Sequence, residues 1–359
     1  MLRTIWCVTL VNKGESMDFP KIPKECKSLM CKYLTKDIFE ELKDKKTKNG
    51  FTLLQAINSG LKNPDSSIGV YAGDEESYSL FDKLFAPIIE EYHGFKKDDS
   101  HKSDFNLESF EGENPDKDGD FILSTRVRVG RNLADFPLGT AITKEGRDEV
   151  ERIVSTALSK LDGELKGEYY PLLGMSKDVQ ERLIQEHFLF KEGDRFLEAA
   201  GLNRDWPSGR GIFHNENKTF LVWVNEEDQL RIISMQKGGD IKEVFLRLAT
   251  AVKNLEESMN FSFNSHLGYI TSCPTNLGTA MRASVHIKLP NLSKDMDRFN
   301  EITDKHHLQI RGIHGEHSKS EDGVYDVSNR RRLGVSEVDC LRDMYFGVVE
   351  LIEAEKSYM

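Results

Sequence analysis

Nothing in this chain of 359 residues approaches the run of about 20 apolar residues that a membrane-spanning helix needs, so no transmembrane segment is expected. Positive charge is also in short supply. Lys and Arg number 49 against 60 Asp and Glu, a net charge of -11. That balance argues against a general nucleic-acid binder, which needs a basic face to displace counterions. Cysteine is scarce: five residues (Cys7, Cys26, Cys31, Cys273 and Cys340), odd in number and without metal-site spacing. The expectation is free thiols in a reducing compartment rather than a disulfide framework. There is no Gly-x-x-x-x-Gly-Lys-Ser/Thr loop, so phosphate is not held by P-loop amides. The motif set of the protein kinases is missing too, as are internal repeats and low-complexity tracts. What remains is an ordinary soluble balance, 30% charged and 38% hydrophobic, in a chain long enough for two domains.

Residues 1–17 read as an N-terminal extension. They carry Arg3 and Lys13 and no acid before Glu15. A disordered extension, an upstream start before Met17 and a targeting peptide all stay open, so a cytoplasmic location is expected with organellar targeting left possible. Residues 18–108 carry helical signals. Thr52 and Gln55 form a capping-box pattern ahead of Leu53, Leu54 and Ile57. Asp74 is placed to cap a helix with Phe81, Leu84, Phe85, Ile88 and Ile89 at helical spacing. Pro87 falls within that pattern and is expected to kink the helix or end its first part. Residues 109–119 are polar and rich in turn formers, a linker.

From 120 to 359 strands alternate with helices, and the expected fold is α+β: a small all-α domain, then a larger domain with a mostly antiparallel sheet covered by helices. Phe121–Val129 reads as a strand. Lys218–Val224 and Gln229–Met235 read as a hairpin turning through Asn225-Glu226-Glu227-Asp228. Asp240 and Glu243 start a helix whose apolar face is Ile241, Val244, Phe245, Leu248, Val252 and Leu255. Ser336 caps the last helix.

The chemistry concentrates on arginines at strand positions. Arg126 and Arg128 share a strand face, two residues apart. Arg231 lies on the returning arm of the hairpin. Cys273-Pro274-Thr275-Asn276-Leu277-Gly278-Thr279 forms a turn ahead of Met281–Leu289, where apolar residues alternate with Arg282, Ser284, His286 and Lys288. Arg311 opens a Gly-rich segment through Gly323 with the makeup of a lid. Taken singly, each arginine is an ordinary surface or salt-bridge residue. Converging, they would neutralise a nucleotide triphosphate. Cys273 beside cations could be a thiolate, favoured by hydroxyls of Thr275 and Thr279. Otherwise it is a buried structural thiol.

The order of Ser-Thr-Arg-Val-Arg, Asn-Glu-Glu-Asp, the cysteine turn and the Arg-Gly loop resembles the phosphagen (guanidino) kinases, from about residue 18 to the end. The resemblance implies reversible transfer of the ATP γ-phosphate to a guanidino group. It implies nucleotide binding by Ser124, Arg126, Arg128, His187, Arg231, Arg282, Ser284, His286, Arg311 and His314. It implies that Glu227, Glu316 and Cys273 act on the guanidinium, with either carboxylate as the base. The segment Asn63–Tyr71 matches the family's specificity loop, and Ser66, Ser67, Ile68, Gly69 and Tyr71 would then hold the substrate. Its short form resembles the arginine-kinase branch. Ser67, His314 and the run 72–78 depart from that branch, and taurocyamine, lombricine or creatine kinases stay open, as does a non-catalytic nucleotide-binding protein. The implied partners are ATP or ADP and L-arginine, in a monomer or homodimer, with no nucleic acid or membrane. Mg²⁺ is expected to arrive on the nucleotide phosphates, since no carboxylate cluster reads as a protein cage for it.

Overall fold

The computed structural model describes residues 18–108, 110–186, 188–192, 194–312 and 323–358. The first part is helical: α1 (Leu29–Tyr33), α2 (Lys36–Leu42), α3 (Leu53–Lys62), α4 (Glu76–Leu80) and α5 (Asp82–His93). Thr52 caps α3 reciprocally with Gln55, each side chain accepting the other's backbone N–H. Such a cap contributes about 1 kcal/mol. Asp74 accepts the N–H of Ser77 at 2.9 Å ahead of α4. Of the two outcomes expected of Pro87, it does not end the helix: the break falls at Phe81 (φ -106°, ψ 29°), and α5 runs through Pro87. A proline there removes one backbone hydrogen bond, while burial of Leu84, Phe85, Ile88 and Ile89 holds the turns on either side.

The expectation of five free thiols is corrected. Cys26 and Cys31 form a disulfide, bridging the chain where it turns into α1 at Ser28. Cys273 and Cys340 are free and buried. Cys7 lies outside the described residues.

Among the described residues, eight strands form one antiparallel sheet. They are β1 (Ile122–Arg131), β2 (Gly167–Pro171), β3 (Gly211–Asn215), β4 (Phe220–Val224), β5 (Leu230–Lys237), β8 (Met281–Lys288), β9 (Leu308–Arg311) and β10 (Val324–Asn329), with β6 (Phe263–Asn264) and β7 (Gly268–Tyr269) as a separate pair. The order is β2-β3-β4-β5-β1-β8-β10-β9, so β1 is central although it comes first. The hairpin forms as expected except at its start: Lys218 (φ 53°) belongs to the preceding turn, and the strand begins at Phe220. The segment before β1 is folded down, because the Asp116 carboxylate accepts the N–H groups of Asp120, Phe121 and Ile122.

The sheet is apolar on one face. Val127, Val129, Ile232, Met281, Ala283, Val285 and Ile287 pack there against α6 (Lys144–Leu158), α9 (Ile241–Glu256) and α11 (Glu337–Ser357) in one core. The alternating pattern requires the other face of the middle strands to carry the polar set. Two further helices, α7 (Lys177–Gln185) and α8 (Arg195–Ala199), lie between β2 and β3 in the chain, and α10 (Met296–Lys305) precedes β9.

Candidate active site

Register brings the polar face together. Arg128 stands opposite Arg282, Arg126 opposite Ser284, and Ser124 opposite His286 across β1 and β8. Asp326 of β10 lies opposite His286 on one side and Arg311 of β9 on the other. Arg231 lies one strand away on β5, opposite Gly130. A Cβ on Gly130 would lie 3.0 Å from Asp228 Oδ2, so the glycine leaves room for that carboxylate. Trp223, opposite Arg231 on β4, offers its ring to both Arg126 (5.5 Å) and Arg231 (5.7 Å).

Crowding of like charge is the main electrostatic feature. Burial and the neighbouring Arg282 and Arg231 push Arg126 down to about 10. Burial and the same cluster also hold Arg128 well below the usual range. The counter-charges are few. Asp326 accepts from Arg282 at 2.9 Å, with His286 at 3.6 Å. Arg231 is forked between Glu226 and Glu227, both at 2.9 Å. A polyanion entering here would relieve repulsion among the guanidinium groups.

The hairpin turn that presents Glu227 is rigid. Asn225 adopts φ 56° and donates to the carbonyls of Arg147 and Gly209. The Asp228 carboxylate accepts from Asn132 at 2.8 Å and from the N–H of Ser272 at 3.0 Å. That second bond ties the hairpin to the cysteine turn. The helical domain joins at the same point: Ala72 donates to the Ser272 carbonyl at 2.8 Å, and the Tyr78 hydroxyl to the Thr271 carbonyl at 2.7 Å. Tyr71 and Cys273 share one core here, and the Glu227 carboxylate is close enough to act on both.

Glu227 is raised to about 7, by burial first and with Arg231 pulling it back down. Cys273 departs from expectation. Burial first, then the Glu227 carboxylate, push it up to about 12, which favours the thiol over the thiolate. The Thr275 hydroxyl lies 3.1 Å from Sγ as expected. Thr279 does not face Cys273; its hydroxyl accepts the N–H of Met281.

The loop Asn63–Tyr71 is held from behind. Ser66 Oγ accepts the N–H of Gly69 at 3.1 Å, and the carbonyls of Ser67 and Ile68 accept from Leu29 and Met30. Gly69 sits at φ 77°, where a Cβ would lie 2.7 Å from Ser28 Oγ, so only glycine fits. Ile68 and Tyr71 share a core with Cys273 and Leu277. Arg195 of α8 forks onto Asp65, bracing the loop from the catalytic domain. His187, His314 and Glu316 lie outside the described residues, as does most of the Gly-rich segment. Glu226, Asp228, Asp326, Asn276 and Trp223 were not anticipated. Only Glu226 and Asp228 left a signal, as carboxylates flanking Glu227. A separate cleft lined by Asp74, Phe95, Pro137 and His266 holds none of the guanidinium groups.

Two family models match this chain: ATP:guanido phosphotransferase, C-terminal catalytic domain, over residues 149–358, and ATP:guanido phosphotransferase, N-terminal domain, over residues 24–90. The chain belongs to the ATP:guanido phosphotransferase family. An arginine kinase (Lit v 2) of Penaeus vannamei is 56% identical over 93% of this chain and 94% of its own length. An arginine kinase of Eriocheir sinensis is 55% identical over 97% of this chain and 98% of its own. Among solved structures, the duplicated taurocyamine kinase of Schistosoma mansoni superposes with a TM-score of 0.87 at 46% identity. It covers 93% of this chain, which spans about half (47%) of that longer one. A lombricine kinase superposes with a TM-score of 0.87 at 39% identity, covering 93% of both chains. Among the described residues no helix is long and apolar enough to cross a membrane.

Proposed function

We propose that this phosphotransferase moves the γ-phosphoryl group of Mg·ATP reversibly to L-arginine, giving phosphoarginine, ADP and a proton. The reading rests on one arrangement above the others: a carboxylate only 15% exposed, Glu227, at the border of a cluster of arginines, beside the loop Asn63–Tyr71. The identity of 55–56% to arginine kinases supports arginine as the acceptor.

In this reading Arg126, Arg128, Arg231, Arg282 and Arg311 bind the phosphates, with Ser124, Ser284, His286, His187 and His314 along the nucleotide. Mg²⁺ enters as part of the nucleotide substrate. Glu227 and Glu316 hold the guanidinium in line with the γ-phosphorus. A guanidino nitrogen attacks phosphorus, the bond to the ADP oxygen breaks, and the nitrogen's proton passes to a carboxylate. Cys273 gains thiolate character only when the guanidinium sits beside it. Ser66, Ser67, Ile68, Gly69 and Tyr71 receive the α-carboxylate end of arginine. The enzyme works from the cytoplasm as a monomer or homodimer.

The test is a coupled ADP-release assay with saturating Mg·ATP and, in turn, L-arginine, taurocyamine, lombricine and creatine. Arginine should give the highest kcat/KM. Faster turnover of another acceptor would reassign the substrate, and no turnover of any would leave a nucleotide-binding protein.

A further inference from the structure

The cysteine turn is clamped by a residue that the proposed mechanism does not use. Arg332, 9% exposed and three residues beyond β10, lies against Pro274–Asn276. Its guanidinium donates to the Thr275 carbonyl at 2.9 Å and to Oδ1 of Asn276 at 2.5 Å. Its own carbonyl accepts the N–H of Thr279 at 2.9 Å. The backbone approach is so close that a Cβ on Gly278 would lie 2.2 Å from that carbonyl oxygen. Its side-chain bonds go to these carbonyl and amide oxygens, and its Nε is buried without a partner. A buried guanidinium spent on carbonyl and amide oxygens is a costly arrangement, so what it fixes is informative.

It fixes an amide. An asparagine side chain can present either its oxygen or its NH₂ to a neighbour. Because Arg332 is only a donor, it can face only the oxygen of Asn276. The NH₂ group must then point the other way, and there it meets Oε2 of Glu227 at 3.4 Å. The same oxygen accepts from Arg231. We propose that Arg332 and Asn276 are positioning residues for phosphoryl transfer: Arg332 locks the Asn276 amide, and the locked amide holds the Glu227 carboxylate in place for the guanidinium. The proposal rests on Glu227 being the substrate carboxylate.

A donor on Oε2 favours the carboxylate over the carboxylic acid. The other groups acting on Glu227 are Glu226 and Asp228 in its own turn, Arg231 on β5 and Arg128 on β1. Cys273 in the clamped turn and Tyr71 and Tyr78 from the helical domain also feel its charge. None of these changes in the variants that follow.

The experiment compares N276A, R332M, R332K and the double variant N276A/R332M in the full chain, with Tm recorded for each. The readout is kcat/KM for arginine from about pH 6 to about pH 9. Loss of the amide donor should lower kcat/KM at neutral pH about two- to fivefold and move the acid limb upward by about half a unit to one unit. Most of the loss should be regained at high pH. R332M should reproduce this shift, and the double variant should be no worse than N276A, because one residue acts through the other. R332K should recover part of the wild-type profile. An equal loss at every pH, or additive losses in the double variant, overturns the proposal. E227Q run in parallel separates the two levels: if E227Q keeps wild-type activity, the reading of Glu227 fails; if E227Q is inactive and the acid limb of N276A does not move, only the clamp fails.

Discussion

At Glu227 burial and charge pull against each other. Burial raises its proton affinity, Asp228 and Glu226 raise it further, and Arg231 and Arg128 oppose them, leaving it at about 7. An arginine substrate needs the anion. Binding must therefore expel a proton from the fraction of molecules that still hold one, and the KM for arginine should fall as pH rises toward about 8 and level off above that. The same shift has a stability consequence. A carboxyl group whose folded value lies above its unfolded value, here 4.5 for the isolated group, binds more protons folded than unfolded between those two values. Folding is then favoured less as pH rises through that window. Replacing Glu227 with Gln removes this cost, so E227Q should lose most turnover yet melt higher than the parent at pH 8, with a gain on the order of 1–3 kcal/mol. ADP affinity should change less than tenfold, since Glu226 still pairs with Arg231. Melting curves at about pH 5 and about pH 8 check the sign: a lower Tm for E227Q at the higher pH contradicts the account.

Elements differ in how far local pattern dictates them. Strand β8 was legible because its period of two separates Arg282, Ser284 and His286 from a fully apolar face. The caps of α3, α9 and α11 were legible because each involves residues three apart. Pro87 does not end its helix because tertiary packing outweighed a local rule. Asp326, Asn276 and Arg332 escaped notice because their partners lie 44 to 57 residues away, and only the strand order joins them. The convergence of arginines was invisible for the same reason: β1, β8 and β10 are neighbours in the sheet but far apart in the chain. The disulfide shows this limit at short range. Spacing five apart excluded nothing, and it is the turn at Ser28 that brings Cys26 to Cys31. This bridged segment backs the loop Asn63–Tyr71 through three bonds: Lys27 to Pro64, Leu29 to Ser67 and Met30 to Ile68, at 2.9 to 3.0 Å. Opening the bridge with a dithiol, or by C31S, frees the segment to move and should raise the KM for arginine several-fold while leaving that for ATP unchanged. Thiol titration of denatured protein should show two more thiols after reduction. Equal thiol counts before and after would contradict the bridge, and an unchanged KM would mean that the loop needs no support from it.

At the scale of the whole molecule, the two domains are locked together by a buried charge at the start of the last helix. Glu337, fully buried, accepts from the Ser103 hydroxyl at 3.0 Å and from the N–H of Asp104 at 2.8 Å. Residues 103 and 104 follow the helical domain, so this carboxylate ties the exit of one domain to the first turn of α11 in the other. The N–H of Val338 returns a bond to the Asp104 carbonyl. Arg131, at the end of the central strand, is equally buried; its guanidinium lies 3.7 Å from Glu337 and stacks 3.3 Å from the ring of Tyr269. Burial raises the proton affinity of Glu337 despite the pull of Arg131, so desolvation is the larger effect here. Two substitutions separate the contributions. E337A strands Arg131, Ser103 and Asp104 together and should cost about 3–5 kcal/mol, the usual penalty for breaking a buried pair from one side. For a chain of this size that corresponds to a Tm lower by roughly 4–7 °C. E337Q keeps the shape and an acceptor oxygen, and because desolvation already works against the carboxylate it should cost less than half as much. Both variants should retain the parent KM for nucleotide in the cold, since Glu337 lies on the far side of β1 from the arginine face. Differential scanning calorimetry decides the matter: E337A should melt earlier, with the helical domain separating as its own transition, whereas equal losses for Ala and Gln would show that the charge on Glu337, rather than its hydrogen bonds, joins the domains.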